Sequence, residues 1–119
     1  MKPYRKDKEL VYLACKVNRL NFVYVDKKYR DDLALAKICM QQIENHNSIF
    51  YSLSRRLKDN KELAMFDLQE DHPHSEYYSA RLRDDDEIAE KLYELHGTKS
   101  FAWYHMSKRL RKIYGLTDD

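Results

Sequence analysis

A short phrase recurs along the chain and constrains its fold more than any other feature. In each copy an apolar residue is followed by Arg or Lys, then by acidic residues, and then by an aliphatic and a small residue. The copies begin at Tyr4 (YRKDKELV), Tyr29 (YRDDLALA), Leu57 (LKDNKELA), Leu82 (LRDDDEIA) and, in degenerate form, Leu110 (LRKIYGL). Their spacings alternate between 25 and 28 residues, so residues 5–57 superpose on residues 58–110 without a gap. Repeats of this length are typical of stacked helix pairs.

Within each copy, the apolar residues keep the spacing of one helical face. In the first copy they stand at i, i+3, i+4 and i+7: Leu10, Leu13, Ala14 and Val17. Acids precede these helices, and Asp59 and Asp84, each with a Glu three residues later, predict capping boxes. Gly97 suits a C-cap. A polar break and a second, shorter amphipathic helix are expected after each of these helices.

Few chain breakers interrupt this pattern, because the 119 residues include only two Gly and two Pro. Such a composition argues against a turn-rich β fold. The sequence therefore predicts an all-α protein, a short α-solenoid-like stack of about four helical hairpins in a single domain. The units are expected at about 5–29, 30–57, 58–82 and 83–110, with a C-terminal tail at 111–119.

Charge and hydropathy exclude several classes of protein. The 22 basic and 20 acidic residues give a net charge of +2, which lacks the basic excess typical of nucleic-acid binders. No apolar run reaches the roughly 18 residues of a transmembrane helix, and the charged N-terminus has no signal-peptide core. Cys15 and Cys39 fall inside apolar helical patterns, which favours reduced, buried thiols. These features predict a cytoplasmic protein without a membrane partner.

The recurring pattern L-R-D-D-x-E-[IL]-A, followed by a helix, a polar break and A-x-x-x-[SA]-x-[RK]-L-[RK], resembles a known family. The segment Ser79–Leu110 is similar to the short helical repeats catalogued as domain of unknown function 4116. Weaker copies extend the similarity over nearly the whole chain. The first unit departs from the pattern at Lys6-Asp7, and the third at Asp67, Glu70 and Asp71. The resemblance implies a helical repeat and no particular activity.

The candidate binding residues are aromatic and basic side chains in the second helix of each unit. The basic residues would end that helix and face the acids that begin the next one. Aligned along the stack, they would form a ridge with nearby aromatic residues, which are the types enriched at protein interfaces. The predicted partner-binding residues are Phe50, Tyr51, Arg55, Arg56, Tyr77, Arg81, Trp103, Tyr104, Lys108 and Arg109. Of the other tyrosines, Tyr12, Tyr29, Tyr78 and Tyr93 are assigned to the core.

No set of residues predicts a catalytic, cofactor or metal site. The paired acids Asp31-Asp32 and Asp84-Asp85 are explained as helix caps, since they recur at the helix starts. His72-Pro73-His74 could suggest a metal, but neither CxxC nor HxxxH accompanies it, so a turn is favoured. Phosphate-binding loops and serine-nucleophile motifs are missing. An enzyme would need His46, His96 or His105 to converge with an acid in a pocket.

The leading hypothesis is therefore a non-catalytic protein-binding module. A small free-standing helical repeat suits an adaptor or an inhibitor of the kind that viruses and mobile elements encode. The alternative is a nucleic-acid-binding protein that uses the same ridge on phosphates and unstacked bases. Salt distinguishes the two, because phosphate binding weakens steeply with ionic strength.

Overall fold

The computed structural model describes residues 7–42 and 49–116, which form helices and connecting turns with no strand. Seven α-helices follow one another in these ranges: α1 (Lys8–Val17), α2 (Leu33–Met40), α3 (Arg55–Lys58), α4 (Lys61–Asp67), α5 (Ala80–Arg83), α6 (Asp86–His96) and α7 (Lys108–Ile113). Between them lie 3-10 helices at Arg19–Tyr24, Lys27–Asp31, Phe50–Ser52, Ser75–Tyr77 and Phe101–His105. The prediction of an all-α protein is confirmed. None of these described helices has the length and apolar character needed to cross a membrane.

Each of the four long helices begins at a polar residue that caps its first turn. The side chain of the capping residue accepts a hydrogen bond from the backbone N–H three residues later, at 3.0–3.2 Å. The caps are Asp7 for α1, Asp32 for α2, Asn60 for α4 and Asp85 for α6. Capping is confirmed for Asp32 and Asp85, whereas α4 and α6 begin one residue later than the capping boxes at Asp59 and Asp84 predict. Gly97 ends α6 with a φ of 67°, as expected of a C-cap.

The predicted second helix of each unit is not continuous, and that prediction is wrong. A 3-10 helix comes first, the chain then becomes extended, and a new short helix starts. In the last three units the extended residue is Ser54, Ser79 or Ser107, with ψ between 155° and 162°. Its hydroxyl accepts a hydrogen bond from the backbone N–H three residues on. A serine that bonds the backbone in this way starts a helix and so interrupts the one before it.

The four long helices stack in chain order. Helix α1 contacts α2, α2 contacts α4, and α4 contacts α6. The molecule measures 53 × 25 × 21 Å with a radius of gyration of 15.4 Å, against about 13–14 Å for a compact domain of this length. One continuous core runs through all four units, and Cys15 and Cys39 lie fully buried in it as free thiols.

Two of the three acids that interrupt the apolar pattern of the third unit, Asp67 and Glu70, are buried and bonded, whereas Asp71 is exposed. Asp67 accepts hydrogen bonds from the Tyr78 hydroxyl and the His74 backbone N–H, both at 2.7 Å. Burial, followed by the charge of Asp67, raises the pKa of Tyr78 well above its usual range. Glu70 binds Arg19 of the first unit at 2.7 Å. The break in the pattern therefore forms a polar network inside the stack.

Candidate partner-binding surface

Three aspartates join successive short helices of the stack through one repeated set of bonds. Asp31 ends the 3-10 helix Lys27–Asp31, whereas Asp59 and Asp84 follow the last residues of α3 and α5, so the structure places each of them with the helix pair before the predicted unit boundary. In the first instance, Ser54 Oγ donates to Asp31 Oδ1 at 2.6 Å, and Arg56 Nε donates to the same oxygen at 2.8 Å. Arg56 Nη2 also donates to the Asp31 carbonyl at 2.7 Å. We call this arrangement a clamp. Two more clamps follow, one formed by Asp59 with Ser79 and Arg81, the other by Asp84 with Ser107 and Arg109.

The clamps lower the pKa values of the aspartates that they contain. Hydrogen bonds from Ser54 and then from Arg56 lower the pKa of the Asp31 carboxyl. The same pair of causes, serine first and arginine second, lowers the pKa of Asp59 and of Asp84. Bonds to the charged form of a carboxylate favour that form. All three carboxylates are therefore ionised at neutral pH, and each offsets the charge of one arginine.

Three of the predicted binding arginines, Arg56, Arg81 and Arg109, thus hold the stack together. Arg56 and Arg81 belong to four-residue helices and so also lie in their last turns, as expected, whereas Arg109 does not. The expectation that all three face the acids of the next helix is wrong. They lie in the first turns of α3, α5 and α7, and their aspartate partners stand 22 to 25 residues earlier. The other two cations, Arg55 and Lys108, are exposed beside them. Arg55 lines a shallow groove of about 540 Å³ together with Tyr51 and Lys58.

The predicted aromatic residues divide into core and surface. Phe50 and Trp103 are buried: the Phe50 ring lies 5.1 Å from that of Tyr78, and Trp103 Nε1 donates to the Gly97 carbonyl at 2.8 Å. Their burial corrects the assignment of both to a partner-binding surface. Tyr51, Tyr77 and Tyr104 are exposed. Tyr93, which was assigned to the core, is also exposed, so that prediction is wrong.

The exposed rings continue from one unit to the next. The Tyr51 and Tyr77 rings lie 6.0 Å apart, and the His74 ring lies 6.3 Å from that of Tyr77. His74 and Phe101 line one cavity, and Phe101 stacks on Tyr104 at 6.1 Å with an interplanar angle of 14°. We call Tyr51, Tyr77, His74, Phe101 and Tyr104 the aromatic track. It crosses the second, third and fourth units along their 3-10 helices.

The cavity in the middle of the track gathers four of the five histidines of the chain. It has a volume of about 500 Å³ and is lined by His72, His74, His96 and His105, with Asp71, Glu76, Lys99 and Phe101 among their neighbours. His96 Nε2 lies 2.6 Å from the Leu68 carbonyl, so this nitrogen carries the proton and donates it. His96 and His105 line this cavity together with Asp71 and Glu76, while His46 lies outside the described residues.

One histidine and one acid of the cavity, His74 and Glu76, lie close to each other. His74 Nδ1 and Glu76 Oε2 are 3.6 Å apart, beyond hydrogen-bond distance. Within residues 7–42 and 49–116, no group of three His, Cys, Asp or Glu side chains could hold a metal ion. The cavity instead offers donors from imidazoles and Lys99 beside the apolar faces of Pro73, Phe101 and Ala102. Mixed apolar and polar linings of this kind bind side chains or small ligands.

Phe101 and the cavity histidines were not among the predicted binding residues. The histidines come from three separate segments, and only the fold brings them together. Phe101 carried a clearer signal, because it is three residues before Tyr104 and would share its face of a 3-10 helix.

Comparison with protein-family models, curated proteins and solved structures finds no match to this chain. The resemblance to domain of unknown function 4116 stays a prediction.

Proposed function

We propose that this chain is a non-catalytic protein-binding module whose partner docks along the aromatic track. The observation that carries the proposal is the row of exposed aromatic rings across three units. Phe101 and Tyr104 are 75 % and 72 % exposed, so packing within the stack does not account for these aromatic residues. Exposed aromatic residues on a rigid support are typical anchors at protein interfaces.

The clamps favour a protein partner over a nucleic acid. Nucleic-acid affinity depends on cations that neutralise phosphates. Arg56, Arg81 and Arg109 are each paired at 2.8–2.9 Å with an aspartate, so their net field on the surface is small. The aromatic residues Tyr51, Tyr77, Phe101 and Tyr104, by contrast, remain 39–75 % exposed. The cavity beside them would receive a side chain of the partner, with Phe101 as an apolar wall and the imidazoles as donors.

The test compares the wild-type chain with a Tyr51→Ala/Tyr104→Ala variant in pull-downs from lysate of the source organism. Nuclease and about 0.5 M salt are included, since salt at this level screens phosphate contacts. The captured protein is then purified and its affinity for each variant is measured by calorimetry. We expect binding at least about tenfold weaker in the double variant, because aromatic anchors each contribute upwards of about 1–2 kcal/mol.

Tyr93→Ala is the matched control, because Tyr93 is 50 % exposed, as Tyr51 is, but lies on α6 away from the track. Its affinity should equal that of the wild type. A partner that binds both variants equally well would contradict the assignment of the track. Recovery of nucleic acid alone, released by salt, would favour the alternative function.

A further inference from the structure

A second cavity, next to the aromatic track, is lined by residues of α7 and of the 3-10 helix Phe101–His105, and its walls are basic. It has a volume of about 220 Å³. Its walls include the cations Lys99 and Arg111, the hydroxyl-bearing Ser100 and Tyr104, and the aromatic Phe101 and Trp103. No acid from the described part of the chain lines it, so its walls do not offset its two positive charges.

The guanidinium group of Arg111 has unused hydrogen-bond donors. Arg111 holds the position in the degenerate fifth copy of the repeat that Arg30 and Arg83 hold in theirs. Arg30 Nη2 donates to the Val23 carbonyl at 2.9 Å, and Arg83 Nη2 donates to the Glu76 carbonyl. Nε is buried without a partner in all three arginines, but the Arg111 guanidinium makes no hydrogen bond at all among the described residues. Because unpaired buried donors are costly, Arg111 is suited to an acceptor from outside the chain.

Lys99 and Ser100 add further donors to this cavity. Lys99 is exposed, and its ammonium group forms no ion pair within residues 7–42 and 49–116. Ser100 Oγ accepts a hydrogen bond from the Ala102 backbone N–H at 3.1 Å, which leaves the hydroxyl proton for another acceptor. Together with Arg111, these donors suit an anion that has several acceptor oxygens.

The charge and the size of the cavity favour one kind of anion. A phosphate monoester carries a charge of about −1.5 to −2 at neutral pH and has three acceptor oxygens. It therefore matches two uncompensated cations better than a carboxylate with a single charge does. Arginine also binds phosphate through two parallel hydrogen bonds. The volume is below the roughly 300–1,000 Å³ of drug-sized ligand sites, which suits a phosphate on a short stem rather than a whole nucleotide.

We propose that this cavity binds a phosphate monoester on an apolar or aromatic stem, carried by a phosphorylated side chain of the protein partner. Lys99 and Arg111 bind the phosphate oxygens, and Phe101 and Trp103 flank the stem. The use of the cavity in recognition rests on the proposed function, since Phe101 and Tyr104 belong both to the cavity and to the aromatic track.

The cavity contains its own reporter, because Trp103 is the single tryptophan of the chain. The test is a titration of the wild-type chain with phenyl phosphate, followed by tryptophan fluorescence at neutral pH and low salt. A ligand of this size is expected to bind with a Kd of about 1 mM. Benzoate, which has one charge, and inorganic phosphate, which has no stem, should each bind several-fold more weakly.

Substitutions of the two cations locate the site. Lys99→Met and Arg111→Met should each weaken phenyl phosphate binding by at least about tenfold, since each removes hydrogen bonds to a charged group. Lys99 is exposed, so the first variant tests the site even if the second alters the fold. Lys112→Met is the matched control, because Lys112 follows Arg111 on α7 and is exposed but does not line the cavity. It should bind as the wild type does.

Four results would each overturn the proposal: no saturable change with phenyl phosphate, equal binding of benzoate, an equal loss in Lys112→Met, or a single-stranded oligonucleotide that binds the same site more tightly. Binding that appears only in Asp118→Asn/Asp119→Asn would also overturn it, because acids of the chain itself would then compete for the cavity. The titration needs no partner protein, and Tyr51→Ala should leave it unchanged. Failure here is therefore distinguishable from failure of the pull-down that tests the aromatic track.

Discussion

The buried pair of Arg19 and Glu70 allows the sharpest prediction on stability. Arg19 is 0 % exposed and Glu70 8 %, their bond measures 2.7 Å, and it joins residues 51 positions apart in the first and third units. In Arg19→Met the carboxylate of Glu70 would remain buried beside an apolar side chain. Removing one partner of a buried ion pair costs about 3–5 kcal/mol. That is a large fraction of the roughly 6–18 kcal/mol expected for a chain of this length.

The assay is urea denaturation followed by far-UV circular dichroism at neutral pH. The control is Arg56→Met, whose pair with Asp31 is 61 % and 47 % exposed, so its loss should cost much less than the loss of the buried pair. Arg19→Met combined with Glu70→Leu should recover most of the loss, since apolar side chains often replace a buried ion pair without penalty. If Arg19→Met costs no more than Arg56→Met, the inference that the pair is desolvated is refuted.

Three further predictions follow from the clamps, the tyrosines and the turn after α6. Folding lowers the pKa of Asp59. Asp59 therefore stabilises the folded state above its unfolded pKa of about 3.9, and this contribution is lost as the pH falls through the folded pKa. In a plot of urea midpoint against pH, Asp59→Asn should flatten the acid side of the curve. Burial and then the hydrogen bond to Asp32 raise the pKa of Tyr12 to about 12, and the stabilisation of its neutral form is lost above about pH 10. Asp32→Asn should bring its absorbance titration midpoint back towards 10. Gly97→Ala should cost about 1–3 kcal/mol in urea denaturation, because φ 67° with ψ −150° strains any other residue.

The parts of the fold that could be predicted from the sequence are those set by local signals. The periodic apolar residues and polar caps predicted α1, α2, α4 and α6, with the starts of α4 and α6 one residue early, because such signals act within one or two turns. The 53-residue spacing also relates residues that share contacts and burial in the structure. It pairs the clamp of Asp31 with that of Asp84, buried Phe50 with buried Trp103, and exposed Tyr51 with exposed Tyr104.

What could not be predicted depends on contacts between distant residues. Arg19 stands in a polar break after α1, which by composition resembles an exposed turn, yet its partner Glu70 buries it. Phe50 and Tyr51 are neighbours of similar type, and only the packing of the 3-10 helix decides that the first is buried and the second exposed. The 3-10 helix Phe50–Ser52 is too short to show a periodic pattern, so the sequence does not indicate which of its aromatic residues is buried.

The clamps also reduce the net positive charge at the surface where Arg56, Arg81 and Arg109 lie. Asp31, Asp59 and Asp84 each take a hydrogen bond from a serine and from an arginine, so the residues that seemed available to a partner are needed to fix one unit on the next. Each exposed ion pair stabilises little by itself. Here, however, the arginine also binds the backbone carbonyl of the same aspartate, which fixes the angle between units. With these three arginines engaged in this way, the proposed function assigns recognition to the aromatic track. A partner would therefore depend on the geometry of the stack, and loosening one clamp would weaken binding without touching a residue of the track.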